Sequence, residues 1–361
     1  MSELTLSVGP QHPGSGHFRL IICVDGDTIT KATPDPGYVH RGIEKQAEYR
    51  EYLHSIPLLE RPVISDSNGS VYAYVLAVER LAGLKAPERA QYIRVLMAEL
   101  NRIMSHLYWL AIYGIFLGHS TMFMWPFGDR EVVIDLAQRV MGARLTYSFF
   151  VPGGVRNDLP HGFKDEALRA TEFLEKRLHE YDAIFFKNPI FVERTRGVGI
   201  LRHDDAIRLG VVGPTLRGSG VNADARKDEA YDVYDTFKFD VPAFPDGDCY
   251  SRALVRLEEI KQSIRIVRQA LESIPEGPFR IRHPSVLKPP QGSVYSRTEA
   301  ARGAYAYFIR SEGGKTPYRL KISSPSFRNL LAFQFLMKGS HLADMPTIYW
   351  SLDYWPLEAD R

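Results

Sequence analysis

The sequence predicts a mainly helical α+β protein. Long segments with apolar residues at helical spacing follow one another through the middle of the chain, whereas β-type segments occur only towards its two ends. The alternation of strand and helix that builds a parallel nucleotide-binding sheet does not occur. With 361 residues the chain has room for one large domain or two ordinary ones. We expect one structural domain, 1–361, made of a β hairpin unit (1–36) and a helical core with a C-terminal hairpin and tail (37–361).

Composition indicates a globular protein without a nucleic-acid or membrane-surface ligand. Hydrophobic residues make up 45% of the chain and charged residues 24%, and the formal net charge is +2 without a block of lysine and arginine. Nothing therefore points to nucleic acid or to an anionic membrane surface. The two cysteines, Cys23 and Cys249, form no C-x-x-C pair, so they predict neither a disulfide framework nor a metal site. A reducing cytoplasmic setting is the simplest inference.

The sequence shows no segment with the pattern of a secretory leader or of a membrane-spanning helix. Its first residues, Met1 to Leu4, lack the basic and apolar regions of a secretory leader. The most apolar stretch, 103–117, contains Ser105 and His106 and is shorter than the roughly 20 residues that a membrane-spanning helix needs. We therefore expect a buried helix there, no transmembrane segment, and contact with a membrane only through partners.

The N-terminal β unit is predicted from short apolar segments and turn residues. A strand at 4–8 precedes a loop at 9–20, and segments 20–24 and 28–30 flank the turn Asp25-Gly26-Asp27 as a hairpin. Two prolines and a glycine in 34–37 end the unit.

Helical spacing and helix-end residues predict the middle of the chain. Pro87 opens the longest helix at the first position, which proline favours, and Gly142 ends the helix that begins at Trp125. The predicted helices are 40–53, 70–84, 87–117, 125–142, 164–186, 203–209 and 250–274, with a loop at 152–155. Beyond them we expect a proline-rich connection (275–301), a hairpin (303–309 and 318–322), a helix (327–337) and a tail.

The longest predicted helix carries polar residues along one face. Arg94, Arg102 and His106 lie at multiples of four residues on it. Arg102 and His106 are interpreted as buried polar groups that tie helices together, with a direct chemical role as the weaker alternative.

The loop 9–20 has the composition of a functional loop. It holds three glycines and two prolines together with His12 and His17. Histidines on such a loop can serve as proton donors, ligands or hydrogen-bond partners. The alternative is a β-turn with two surface histidines.

Two matches to nucleotide-binding motifs lack the flanking residues that those motifs need, and the common hydrolase motifs do not occur. Gly218 and Gly220 match a dinucleotide fingerprint only in spelling, because the strand before it and a clear helix after it are missing. Gly314-Lys315-Thr316 ends like a P-loop, but Ile309 stands where the first glycine would be and Pro317 follows. No H-E-x-x-H, G-x-S-x-G or cysteine-based zinc pattern occurs.

A series of short motifs, in order along the whole chain, resembles the D subunit of respiratory complex I, in its archaeal version. That family is related to the large subunit of [NiFe] hydrogenases, so the resemblance implies a hydrogenase-like helical core with small β elements at both ends. The motifs that carry the resemblance are Gly9-Pro10-Gln11-His12-Pro13, 37–45, Ala77-Val78-Glu79, Arg144-Leu145-Thr146, 152–155, 247–250, Leu254-Val255-Arg256, 294–297, 317–322 and the ending 352–356.

The resemblance implies that a former metal cavity is present without its ligands. A hydrogenase needs two C-x-x-C pairs, because thiolates hold its soft nickel and iron centres. Val63 and Asp66 stand at the positions of the first pair, and Trp355 and Glu358 stand at those of the second. We therefore expect no nickel or iron in this chain and a cavity that serves as the head of a quinone site.

The resemblance also assigns candidate residues to that quinone site. His12 matches the first histidine of the family's loop, and His17 takes the part of the second, quinone-facing one, five residues on instead of four. Two positions that are polar in the family are apolar here. The candidate pocket residues are Arg41 and Glu44 on a lining helix, Ile64 in place of the quinone-bonding tyrosine, Asp66, and Phe116 in place of an acidic partner, with Ser65, Ser67 and His119 as other polar candidates.

The function implied is that of a peripheral-arm component of a proton- or ion-pumping oxidoreductase. With the B subunit, which carries the terminal [4Fe–4S] cluster, it would form the site where quinone is reduced. The electrons would come from NADH or another low-potential donor, and the isolated chain would be inactive. The resemblance further implies the C and I subunits and the H subunit of the membrane arm as partners, on the cytoplasmic side of the cell membrane. The alternatives are a hydrogenase large subunit, which the missing cysteines disfavour, and a non-catalytic scaffold of a hydrogenase-related membrane complex, which Ile64 and Phe116 favour.

Overall fold

The computed structural model describes residues 4–12 and 16–361, so residues 13–15 of the loop with the two histidines lie outside it. Helices make up most of its regular structure. The α-helices are α1 Ile43–Glu48, α2 Ile56–Glu60, α3 Ser67–Ala82, α4 Glu88–Phe116, α5 Ser120–Met141, α6 Phe163–Tyr181, α7 Pro189–Thr195, α8 His203–Leu209, α9 Pro214–Arg217, α10 Ala225–Asp228, α11 Cys249–Ser273, α12 Pro325–Asn329, α13 Ala332–Met337, α14 Met345–Ser351 and α15 Pro356–Asp360.

The strands form three small antiparallel sheets among the described residues. In the N-terminal sheet, in the order β1-β2-β3, Leu20 pairs with Val8 on one side and with Pro34 on the other. The C-terminal sheet has the order β6-β7-β8, and β4 and β5 form a two-stranded turn. The strands are β1 Leu4–Val8, β2 Arg19–Asp25, β3 Thr28–Asp35, β4 Phe150–Val151, β5 Gly154–Val155, β6 Gly292–Ala300, β7 Gly303–Ser311 and β8 Arg319–Ser323.

The 29-residue helix α4 is the centre of the larger core. It packs between α5 and α11, and its side chains are buried almost throughout its length. Each large apolar side chain that is fully buried in this way stabilises the fold by roughly 1.5–3 kcal/mol. A helix buried on all sides is a rigid base on which neighbouring elements can hold functional groups in place.

A second core joins the N-terminal sheet to the C-terminal helices. Phe18, at the entrance to β2, packs against Phe333 of α13 and against Tyr354 in the tail, with ring centroids 5.5 and 4.7 Å apart. The two ends of the chain are therefore fixed against each other, and the end of the loop 9–20 lies beside the tail.

The prediction of a mainly helical α+β fold is confirmed, with several local differences. Helix α1 ends at Glu48 and does not reach residue 53. Helix α5 begins at Ser120, so Pro126 lies inside it, and the His119 side chain caps the helix by accepting a hydrogen bond from Met122 N at 3.2 Å. Residues 152–155 form the β4–β5 turn, the connection 275–301 contains strand β6, and the helix 327–337 is divided into α12 and α13. The tail holds α14 and α15.

The polar face of α4 is buried, as predicted. Arg102 donates to the carbonyl oxygens of Glu299 and Ala300 at 2.6 and 2.9 Å, which ties α4 to β6. His106 bonds Glu259 of α11 at 2.8 Å. Each group therefore links α4 to a different neighbouring element.

In the part of the chain that the structure describes, every helix is too short or too polar to span a bilayer.

Candidate functional site

Arg302 joins the two segments in which the hydrogenase cysteines would stand. It lies in the turn between β6 and β7 and is 2% exposed. Its guanidinium donates to Ser65 Oγ at 3.0 Å, to Asp353 Oδ1 at 3.2 Å and to the Asp353 carbonyl at 3.1 Å. It also lies over the ring of Trp355, 5.2 Å from the ring centroid. Segments 63–66 and 353–358, far apart in sequence, therefore form one site around a buried cation.

The first of these segments presents one carboxylate and one exposed apolar side chain. Asp66 is buried, caps α3 by accepting from Gly69 N at 3.3 Å, and accepts from Ala301 N at 2.7 Å, next to Arg302. Val63 is buried as well. Ile64 lies between them in a short 3₁₀ turn and is 42% exposed, so this apolar side chain faces outward.

The second segment presents a carboxyl group in a low-dielectric setting. Glu358 is buried and accepts hydrogen bonds from the backbone N of Ser326, at 3.1 Å, and from its hydroxyl. Burial raises the pKa of Glu358 to about 7, although Arg302 and Ser326 act in the opposite direction. Trp355 N donates to Ser326 Oγ at 3.1 Å, while the buried indole N–H of Trp355 has no partner among the described residues.

The end of the chain is held against α1 and β8. Asp360 accepts from Val39 N at 3.0 Å, and Arg361 donates to the Ile322 carbonyl at 2.6 Å. Glu44, on α1, pairs with Lys321 at 2.7 Å and with Arg361 at 3.7 Å. Glu44 thus makes ion pairs and also lines a cavity of about 250 Å³, so its two interpretations, pocket lining and salt bridge, both stay predictions.

Arg41 belongs to a separate, open groove between α1 and α2. The groove has a volume of about 470 Å³, and its cationic residues are Arg41, Arg50 and Arg61. All three are exposed, and none has a carboxylate within ion-pair distance in the described chain. This face therefore carries positive charge that the rest of the chain does not neutralise.

The two loop histidines are exposed, and Phe18, which follows His17, packs on the tail. His12 accepts a backbone hydrogen bond from Gly16 N at 2.9 Å, and His17 directly precedes the buried Phe18. Since Phe18 packs on Tyr354, which precedes Trp355, the loop is anchored close to the second segment. Phe116, unlike the two histidines, packs on α14. Its ring stacks on that of Trp350, with the ring centroids 4.6 Å apart and the ring planes inclined by 15°.

Sequence reasoning missed the residues that organise this site, Arg302 and Ser326. The only local signal for Arg302 is a charged residue set among small ones, Ala300-Ala301-Arg302-Gly303-Ala304. A lone charge in an otherwise apolar segment is informative, because charged residues are rarely buried without a partner.

The donor set does not suit nickel or iron. At the four positions where a hydrogenase has cysteines stand Val63, Asp66, Trp355 and Glu358. They offer an isopropyl group, two separated carboxyl groups and an indole in place of thiolates. In the described ranges, 4–12 and 16–361, no group of three or more histidine, cysteine, aspartate or glutamate residues could hold a metal ion.

Comparisons with known proteins point to one family. The family model described as respiratory-chain NADH dehydrogenase, 49 Kd subunit, matches residues 117–291 and 285–361. The D subunit of NADH-quinone oxidoreductase from Carboxydothermus hydrogenoformans is 44% identical over 355 residues, which cover 97% of this chain and 96% of the relative. The corresponding D subunit from Geobacillus kaustophilus is 43% identical over 353 residues, with the same coverage of 97% and 96%.

A solved structure agrees with these relatives. A chain in the structure of the membrane-bound sulfane sulfur reductase (MBS), an archaeal respiratory membrane complex, matches with a TM-score of 0.96 and 35% identity. The match covers 99% of this chain and 98% of the other. The resemblance found in the sequence is thus confirmed over the full length, and the chain belongs to the family of the 49 Kd subunit of respiratory-chain NADH dehydrogenase, the D subunit of complex I-like oxidoreductases.

Proposed function

We propose that this chain forms, together with a B-type partner that carries the terminal [4Fe–4S] cluster, the site at which a quinone is reduced. The observation that carries the proposal is the site around Arg302, where both former-ligand segments meet and offer protonatable and hydrogen-bonding groups in place of thiolates. Such a site can bind and protonate an organic acceptor, whereas it lacks the soft ligands of a metal centre. The residues proposed for the quinone pocket are Asp66 and Ile64, with Arg41, Glu44 and Phe116 as further candidates and Val63, Trp355 and Glu358 at the former metal-cavity positions.

His17 stabilises the reduced headgroup, with His12 in support. A quinone that takes up two electrons gains negative charge on its oxygens. A protonated histidine within hydrogen-bond reach stabilises that charge and supplies a proton. The exposure of both histidines and the anchoring of their loop through Phe18 beside the tail support this role. The reducing electrons come from the partner's cluster, so the isolated chain has no quinone reductase activity.

The open basic groove supports a site that is shared with other proteins of the complex. Arg41, Arg50 and Arg61 lie on a face with excess positive charge, which favours an acidic partner surface. The partners proposed are the B, C and I subunits and the H subunit of the membrane arm, with this chain held peripherally on the cytoplasmic side. NADH or another low-potential donor feeds the complex.

A second candidate function rests on two observations. Ile64 and Phe116 are apolar where polar groups are expected in a quinone site. The structural relative is named as a sulfane sulfur reductase. A complex that passes electrons to sulfane sulfur, with this chain as a scaffold or as the wall of that site, needs neither polar group.

Replacing His17 by alanine is expected to lower quinone reduction by the purified complex at least about tenfold, because one proton donor is lost while His12 remains. The measurement is turnover with a low-potential artificial donor and a soluble short-chain quinone, with polysulfide as the competing acceptor.

His341→Ala is the matched control, because His341 is also an exposed histidine and its one charged partner in the structure is Asp27. We expect the control to keep wild-type turnover. Equal turnover in wild type and His17→Ala would mean that His17 has no role in quinone reduction and is only part of a turn. Reduction of polysulfide without reduction of quinone would favour the second candidate.

A further inference from the structure

A half-exposed row of aromatic rings crosses from the tail of the chain to α5. The indole of Trp355 meets the ring of Tyr108 edge-on, with the ring centroids 6.0 Å apart. The Tyr108 centroid lies 6.1 Å from that of Phe127, which stacks on Phe123 at 5.5 Å. We call these four residues the aromatic array, and each of them is partly exposed. Apolar side chains that form a continuous exposed surface mark sites of contact with another molecule.

Arg130 lies buried against the middle of the aromatic array. Its guanidinium carbon is 5.5 Å from the ring centroid of Tyr108 and 5.8 Å from that of Phe127, and the residue is 6% exposed. Phe123, Phe127 and Arg130 follow one another along α5 at steps of four and three residues, so they share one face of the helix. This face therefore combines aromatic rings with one buried positive charge.

Arg130 has no carboxylate as a partner in the part of the chain that the structure describes. The two acidic neighbours on α5 are engaged elsewhere: Asp129 pairs with Arg177 at 2.6 Å, and Glu131 pairs with Arg144. No ion pair joins Arg130 to a residue in 4–12 or 16–361, and its Nε has no hydrogen-bond partner there. The positive charge of Arg130 is thus buried without a counter-ion.

A buried cation without a partner is costly in every state of the protein, so it calls for a counter-ion that is always present. Burial lowers the pKa of Arg130, although Tyr147 and Glu131 act in the opposite direction. The contacts with two rings offset only part of this cost. A quinone bears negative charge only while it is being reduced, so it cannot neutralise Arg130 in the resting protein. A carboxylate can, and its two oxygens match the planar guanidinium.

The surface around Arg130 has the composition of an interface core between proteins. Aromatic residues, methionine and arginine are enriched at such cores, whereas other charged residues are depleted. The four rings of the array fit this description, and so does Met124, which follows Phe123 and is 66% exposed. A small anion would neutralise Arg130 but leave these apolar side chains in water. A protein partner with an acidic side chain satisfies both.

We propose that the aromatic array is a docking surface for another protein subunit of the complex, which places the carboxylate of an aspartate or glutamate against Arg130. The solved relative is a chain of a membrane complex. Since the rings exclude water around the pair, Arg130 acts as a central anchor of binding and not as a charge at the rim. The inference goes beyond the proposed function, because it holds for any acceptor that the complex reduces.

The test compares Arg130→Met with wild type in the purified complex and in the isolated full-length chain. Methionine keeps an unbranched side chain against the rings and removes the charge. From the complex, we expect the variant chain to dissociate at least about tenfold faster, because one member of a buried charge pair is lost from the interface. In the isolated chain, we expect a thermal unfolding midpoint at or above that of wild type, because a buried charge without a partner has been removed.

Arg130→Lys is the second variant. Lysine keeps the charge but cannot form a two-pronged pair with a carboxylate. We expect it to dissociate at a rate between those of wild type and Arg130→Met. It supplies the rate measurement if Arg130→Met does not assemble.

Arg177→Met is the matched control. Arg177 also lies over an aromatic ring, 4.6 Å from the centroid of Trp125, but its carboxylate partner, Asp129, belongs to the same chain. The replacement leaves Asp129 uncompensated, so the unfolding midpoint of the isolated chain should fall in this variant and not in Arg130→Met. Well below that midpoint, Arg177→Met should dissociate from the complex at the wild-type rate.

Three results would overturn the docking surface. A lower unfolding midpoint for isolated Arg130→Met would mean that the charge is stabilised within the chain. Wild-type dissociation of Arg130→Met and Arg130→Lys would mean that no partner carboxylate binds there, and slower turnover at the same time would identify a small anionic acceptor as the counter-ion. A structure of the complex without a carboxylate of another subunit within about 4 Å of the guanidinium would be the third. Dissociation and unfolding need no acceptor, so a failure of the proposed quinone reduction would be seen separately.

Discussion

Replacement of Arg302 by leucine is expected to destabilise the protein by about 3–5 kcal/mol and to abolish turnover of the complex. Arg302 is the buried partner of Asp353, and removing one member of a buried ion pair leaves the other charge uncompensated. The change also breaks the link to Ser65, so segments 63–66 and 353–358 lose the group that holds them together. Denaturant unfolding of the purified protein and quinone turnover of the complex measure the two effects.

Arg310→Leu is the matched control for this prediction. Arg310 lies on the adjoining strand β7, and its pair with Glu312, at 3.5 Å, joins side chains that are 49% and 48% exposed. A surface pair of this kind contributes at most about 1 kcal/mol. We further expect Arg302→Lys to fall between wild type and leucine, because it keeps the charge but cannot bridge Ser65 and Asp353 together. Similar unfolding midpoints for Arg302→Leu and Arg310→Leu would contradict the central position of Arg302.

The sequence was sufficient for the fold class because its strongest signals are local. Helix α4 begins just after Pro87, and α5 ends with Gly142 in the left-handed conformation, as the end residues predict. The error at the start of α5 has a physical cause: Pro126 is typical of a first helical turn, whereas the helix already begins at Ser120 under the His119 cap. A buried proline within a helix is tolerated where tertiary packing outweighs the lost hydrogen bond.

Strand β6 was missed because its pattern is not that of an ordinary strand. It contains Arg297 and Glu299, and a buried glutamate makes the inward-facing side of a strand look polar. That glutamate belongs to a network of buried ion pairs that joins α4, α9, α10, α11 and β6. Local hydrophobic patterns cannot show that charges from five elements pair with one another, so this network of buried ion pairs was not predictable from them.

The candidate site was predictable in part, through its resemblance to a family and not through its geometry. The resemblance identified Val63, Asp66, Trp355 and Glu358 as equivalent positions, and the structure brings their segments together. It did not identify Arg302 or Ser326. Their role depends on contacts with residues far away in the sequence, and a short sequence motif does not record such contacts. The roles of His12 and His17 stay predictions.

Glu358→Gln is expected to remove a pH-dependent loss of stability of about 3 kcal/mol. The pKa of Glu358 is about 7 in the folded protein, where burial disfavours the charged form, against 4.5 for an ordinary glutamate. Below pH 4.5 the carboxyl is protonated in both the folded and the unfolded states, so it contributes no pH dependence. Between pH 4.5 and 7 the unfolded state releases the proton and the folded state keeps it, and stability therefore falls as the pH rises. Each unit of difference corresponds to about 1.4 kcal/mol.

The measurement compares the free energy of unfolding of wild type and Glu358→Gln between pH 4 and pH 8. The difference between the two proteins isolates this residue, because other titrating groups are common to both. The glutamine oxygen can still accept from Ser326 N, so the two proteins should be similar near pH 4, and the variant should become the more stable one by pH 8. A difference that does not change with pH would mean that Glu358 is ionised in the folded protein. The attraction of the Arg302 charge would then outweigh the burial of Glu358, and Glu358 could not serve as a proton donor at the proposed reduction site near neutral pH.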